Sequence, residues 1–124
     1  MNKTYDADLA LLINGSWKIG EGRDSFAVID PASGDAIGAV PLASAADLDE
    51  ALAAAELGFA KWRATPAEAR GAVLRKAAAL LRERTEQIAR LLTLEQGKPI
   101  AEARGEVAGS AQIFDRCAEE ATRI

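Results

Sequence analysis

One cysteine, no histidine and nineteen acidic residues bound the chemistry open to this chain of 124 residues. Without histidine there is no Ser-His or Cys-His pair to activate a nucleophile and no Cys/His set for zinc. A single thiol also forms no intrachain disulfide. Cys117 is the one candidate nucleophile, and Asp115, Glu119 and Glu120 around it disfavour the thiolate, with only Arg116 in opposition. Its helical spacing from Phe114 and Ala121 predicts instead a cysteine packed on an apolar face.

The second candidate is Glu95, in the run Leu94-Glu-Gln-Gly-Lys-Pro99. Gly97 can take the positive φ that ends a helix, and Pro99 suits the first turn of the next one. Glu95 then sits at the carboxyl end of a helix, where the macrodipole disfavours a carboxylate unless a cation is near. Lys98 or a bound cation would supply that charge; a solvated surface acid beside a surface lysine is the plainer reading.

The elements that position these residues follow from periodicity. Leu9 to Ile13 and Ser16 to Ile19 flank Asn14-Gly15, the strongest two-residue hairpin signal, with Trp17 as the hairpin's large apolar anchor. Gly20-Glu-Gly22 lacks the third glycine and the helix of a dinucleotide fingerprint and reads as a loop. Ser25 to Ile29 and Ala36 to Val40 form a second strand pair around Asp30-Pro-Ala-Ser-Gly-Asp35.

From Ser44 the period changes to that of helices. Ser44-x-x-Asp47 resembles a capping box and opens a helix to about Arg63, with Leu48, Leu52, Ala55 and Phe59 on one face. Thr65-Pro66 opens a second, whose buried stripe is Val73, Leu74, Ala77, Leu80 and Leu81. Arg84-Thr85 is either a break, with Thr85 capping a third helix, or the middle of one continuous helix. The last helix runs from about Pro99 along Ala103, Val107, Ala111, Phe114 and Ala121. Gly105 and Gly109 inside it each cost about 1 kcal/mol against alanine, which predicts close approach of another segment or a ligand.

Composition sets further bounds. The apolar content of 49% is mostly alanine and aromatics are only 5%, so the helices approach closely but bury little surface. A larger body is expected to cover the faces left open. A net charge of −4, with basic and acidic residues intermixed from Arg70 to Arg90, argues against nucleic acid as a partner. No run approaches a membrane span and Met1-Asn-Lys-Thr-Tyr-Asp6 lacks a signal-peptide core, so a cytoplasmic location is the expectation.

The run Thr93-Leu-Glu-Gln-Gly-Lys-Pro-Ile-Ala-Glu-Ala-Arg-Gly-Glu-Val107 closely resembles the helix junction of the aldehyde dehydrogenase superfamily, within it most of all the bacterial succinate-semialdehyde dehydrogenases. Leu12-Ile-Asn-Gly-Ser-Trp17, Val28-Ile-Asp-Pro-Ala-Ser-Gly-Asp35 and Ala60-Lys-Trp-Arg63 agree in order and spacing, and the resemblance extends from about Leu9 to Ile124. It implies an α/β fold: the amino-terminal part of an aldehyde dehydrogenase-like cofactor-binding domain, antiparallel β-hairpins followed by about four α-helices. Residues 1–8 are expected to be a disordered amino terminus, and 9–124 an incomplete amino-terminal part of the NAD(P)-binding domain.

The resemblance further implies an enzyme that oxidises an aldehyde, succinate semialdehyde or a similar semialdehyde, through a cysteine thioester with NAD or NADP. When complete it would be a homo-oligomer. The family's nucleophilic cysteine, general-base glutamate and phosphate-binding loop belong to motifs absent here, so no catalytic or cofactor-binding residue is expected and these residues alone should be inactive. Family members often hold a structural monovalent cation on positions matching the main-chain oxygens of Val28 and Ile29 and the side chain of Glu95. The family often has aspartate at the last position, and the longer glutamate would reach differently or leave the site empty. The helix matching the last one here borders the substrate entrance tunnel, with Gly109 where many relatives place a bulky side chain and Ile113 a turn later; packing of both against the next part of the domain is the alternative. Two rival functions are a stand-alone helical binding or scaffold module, and an aldehyde dehydrogenase for betaine, lactaldehyde or glutarate semialdehyde.

Overall fold

The structure, a computed structural model, describes residues 9–20 and 22–123. The amino terminus expected to be disordered, residues 1–8, lies outside them. The chain divides into two compact units, one reaching Arg63 and the other starting at Ala64.

In the first unit, β1 (Leu11–Ile13) and β2 (Ser16–Lys18) pair antiparallel. The turn between them takes positive φ at both Asn14 (51°) and Gly15 (76°), the combination whose twist matches that of the strands. Side chains alternate across a ribbon, so only one of its faces can be covered. Ile13 is buried, whereas Trp17 lies opposite Leu12 on the other face and is 67% exposed. The expected anchor is therefore the residue left open.

Strands β3 (Ser25–Ile29) and β4 (Ala36–Pro41) form a second antiparallel pair whose register shifts between Val28 and Ile29. The connecting turn is built on Asp30: its carboxylate accepts from the Ala32 amide at 2.8 Å, and its carbonyl accepts from the Gly34 amide at 2.8 Å. Gly34 adopts φ of 77°, a conformation that favours glycine.

Helix α1 (Ala45–Ala64) begins as the capping box predicts. The Asp47 carboxylate accepts from the Ser44 amide at 2.9 Å, and the Asp47 amide donates to Ser44 Oγ at 3.2 Å. The residues Leu48, Leu52, Ala55 and Phe59, which the sequence places on one face of this helix, are exposed. No strand of its unit packs extensively along it, because both sheets are two-stranded ribbons without a broad face to offer.

The second unit is helical: α2 (Ala67–Glu83), α3 (Thr85–Gln96) and α4 (Ile100–Glu120). Arg84, at φ −98° and ψ 16°, separates α2 from α3, so the continuous helix is not formed. Thr85 does not cap α3 as expected. Its hydroxyl donates back to the carbonyls of Leu81 (3.1 Å) and Arg82 (2.8 Å), satisfying acceptors that the end of α2 leaves orphaned. Gly97 closes α3 at φ 70°, its amide donating to the Thr93 carbonyl at 2.9 Å, and Pro99 stands immediately before α4.

The core of this unit is built from small side chains. Ala89, Ala103 and Val107 form its centre, with Leu81, Ile88 and Leu92 packed against them. Ala78, Ala111 and Ala118 are also fully buried. On α4 the covered stripe is Ala103, Val107, Ala111 and Ala118, which recurs at helical spacing as the sequence predicts. Three expectations fail at its margins: Val73 is exposed on α2, and Phe114 and Cys117 are exposed on α4. Helix α4 meets α2 and α3 along the alanine stripe, and Cys117, next to the covered Ala118, falls outside it.

Candidate functional site

The residues singled out from the sequence fall in three places. Gly109 and Ile113 lie one turn apart on α4, on a face turned away from the alanine stripe. Ile113 is 63% exposed, and a Cβ added at Gly109 would meet nothing within 4 Å among the described residues beyond the adjacent turns of its own helix. Gly105 is equally open. No described segment approaches these two glycines, so this chain itself holds no close contact that would offset their helical cost. The face they share with Ile113 lies opposite the alanine stripe and also carries Glu102 and Arg116.

Glu95 is exposed in the last turn of α3, two residues before the left-handed Gly97. Lys98 pairs with Glu106, one turn into α4, so this lysine helps tie the junction to the following helix. Val28 is half-buried and Ile29 exposed at the end of β3, where the register shifts. These two belong to the first unit and Glu95 to the second, and each is described within its own unit. Among the described residues there is no group of three or more His, Cys, Asp or Glu side chains arranged to hold a metal ion.

One densely connected polar side chain, Asp47, has long-range partners that the sequence did not disclose. Asp47 is only 3% exposed. Besides the Ser44 amide, its carboxylate accepts from Ser44 Oγ at 2.6 Å, from Lys18 Nζ at 3.2 Å and from Arg23 Nη2 at 3.1 Å, with Arg23 Nη1 on the second oxygen. Lys18 also pairs with Glu50, one turn along α1. The Arg23 guanidinium first, then the Ser44 hydroxyl and amide, and then Lys18 hold the Asp47 carboxyl well below the usual carboxylate range despite its burial. The Ser44-x-x-Asp47 spacing pointed to the cap. The partners 24 and 29 residues away left no local signal.

In the second unit, Arg104 clamps Glu86 with two parallel bonds of 2.8 Å, joining α4 to α3 and lowering the Glu86 carboxyl. Two shallow apolar clefts are lined by described residues. One, of about 540 Å³, is lined by Leu9, Ala10, Trp17 and Ile19; the other, of about 260 Å³, by Ala77, Leu80, Leu81, Ile88 and Phe114, with Arg84 at its side. Neither includes a candidate site residue. Among the described residues no helix is long and apolar enough to cross a membrane.

Comparison with known proteins adds what the geometry leaves unnamed. The family model described as the aldehyde dehydrogenase family matches residues 17–124. A 4-(hydroxymethyl)benzenesulfonate dehydrogenase of Comamonas testosteroni is 47% identical over 92% of this chain and 24% of its own length. The NADP(+) succinate-semialdehyde dehydrogenase of Escherichia coli strain K12 is 42% identical over 91% of this chain and 23% of its own. Among solved structures, an NAD-dependent benzaldehyde dehydrogenase from Corynebacterium glutamicum superposes with a TM-score of 0.88 at 32% identity, over 97% of this chain and 26% of that one. The chain thus spans about a quarter of the length of the relatives it matches.

Proposed function

Because this chain belongs to the aldehyde dehydrogenase family, we propose that it forms the amino-terminal portion of an NAD(P)-dependent enzyme that oxidises an aldehyde to a carboxylate through a cysteine thioester. The observation that carries this reading is the family match over nearly the whole chain, joined to a backbone that superposes closely on about a quarter of a solved dehydrogenase chain. The exposed apolar face of α1 supports it, since a further body of protein would cover Leu48, Leu52 and Phe59.

The proposed substrate is succinate semialdehyde or a near homologue. Support comes from the relatives' names: a semialdehyde and a benzenesulfonate both carry an anionic group remote from the reacting carbon. The cofactor, NAD or NADP, accepts hydride when bound; no residue of this chain is assigned to it. Within the complete enzyme, which we take to be cytoplasmic and homo-oligomeric, Gly109 and Ile113 border the path of the aldehyde. The main chain of Val28 and Ile29 and the carboxylate of Glu95 hold a structural monovalent cation.

The test is an assay of NAD+ and NADP+ reduction with succinate and glutarate semialdehydes. It compares these 124 residues with the protein extended to its relatives' length from the encoding DNA. Turnover is expected only from the extended protein. Turnover by the 124 residues alone, or no aldehyde-dependent reduction by the extended protein, would refute the proposal. A heavy monovalent ion soaked into crystals of the extended protein should appear beside Glu95, and clean solvent there would remove the cation assignment.

A further inference from the structure

We infer that Asp47 is an electrostatic latch: its charge holds the β1–β2 hairpin and the loop carrying Arg23 against the start of α1, and removing it frees those segments without unfolding α2, α3 and α4. Three observations carry this.

The first is connectivity. One carboxylate, almost wholly removed from water, receives donors from three separate stretches: Lys18 at the end of β2, Arg23 in the following loop, and Ser44 at the helix start. A buried charge is tolerated only while its partners stay in place, so the three stretches are constrained together.

The second is how small the competing apolar anchor is. Of the hairpin's large apolar side chains, Leu12, Trp17 and Ile19 are exposed and Ile13 is buried. Strands of three residues paired only with each other are marginal in water. Among the described residues, the ion pairs of Lys18 and Arg23 with Asp47 therefore add to a single well-buried side chain, Ile13.

The third is separability. The capping contacts between Ser44 and Asp47 need an oxygen acceptor, whereas the ion pairs with Lys18 and Arg23 need a negative charge. Asparagine supplies the first without the second. The start of α1 and the docking of the hairpin are then distinct events that share one side chain.

Hydrogen exchange read by mass spectrometry on the 124-residue chain tests the latch. In Asp47→Asn, amides from 11 to 24 should exchange at least ~10-fold faster than in the unmodified chain, while protection over residues 67–120 is unchanged. Arg23→Gln, which leaves the capping box intact, should accelerate the same segment to a smaller degree. Unaltered exchange over 11–24 in both variants, equal acceleration across 67–120, or no protection of 11–24 in the unmodified chain would each overturn the inference.

Discussion

Gly71 of α2 lies so close to Ala118 of α4 that a Cβ built on it would stand 2.9 Å from the Ala118 carbonyl oxygen. A backbone oxygen cannot swing aside as a side chain can, so the two helices owe their separation here to the missing methyl. The contrast with Gly105, where a Cβ meets nothing within 4 Å, sets two effects against each other. Alanine gains about 1 kcal/mol over glycine in a helix interior, and overpacking costs typically 1–3 kcal/mol.

Gly71→Ala should therefore destabilise the second unit by about 1 kcal/mol net, and Gly105→Ala should stabilise it by about 0.5–1 kcal/mol. Urea denaturation followed by far-UV circular dichroism separates the two. Changes of the same sign would show that the close approach is not what excludes a side chain at Gly71.

Ser44 supplies both an acceptor and a donor at the start of α1. Ser44→Ala should cost the first unit about 1 kcal/mol, the usual loss for a serine cap. Helicity of α1, read by exchange at residues 47–50, should fall with it; unchanged protection there would argue that Asp47 alone fixes the helix start.

Acid should loosen both units. Asp47 and Glu86 have carboxyls lowered from ordinary values of 3.8 and 4.5 by Arg23 and Arg104. Their contribution is fully present above those ordinary values, where the unfolded chain is also ionised. It is lost progressively as pH falls below about 4 toward the folded-state values. Thermal midpoints should be flat from pH 7 to pH 5 as far as these groups govern them and decline below pH 4. Replacing Glu86 with glutamine should flatten part of that decline, and an identical acid profile would remove Glu86 from the account.

In the complete enzyme, Gly109→Phe should raise KM for bulky aldehydes by roughly 10-fold while leaving small aldehydes nearly unaffected. Equal kinetics for both classes would take Gly109 out of the substrate path.

The glycines show where the sequence was legible and where it was not. Gly97 was readable as a helix terminator, and Asn14-Gly15 as a hairpin turn, because the backbone conformation at each depends on its own residue and its neighbours. Gly71 was not readable as a contact point, since nothing within a turn of it records that the carbonyl of Ala118 arrives there. The open faces of Gly105 and Gly109 invited the opposite reading for the same reason. Trp17 and Cys117 failed similarly: each is the kind of residue expected inside, and each lies outside the surface its neighbours cover.

By itself the sequence determined the order of strands and helices, the turns between them, the cap at Ser44 and the alanine stripe of α4, all of which arise from interactions within a few residues. It also carried the family resemblance, because that rests on short motifs in register. Only the tertiary structure decided that Asp47 gathers Lys18 and Arg23, that Glu86 and Arg104 join two helices, and which apolar faces remain open. Charge pairing and burial depend on which surfaces meet across long loops, and that geometry is set by packing rather than by the residues on either side.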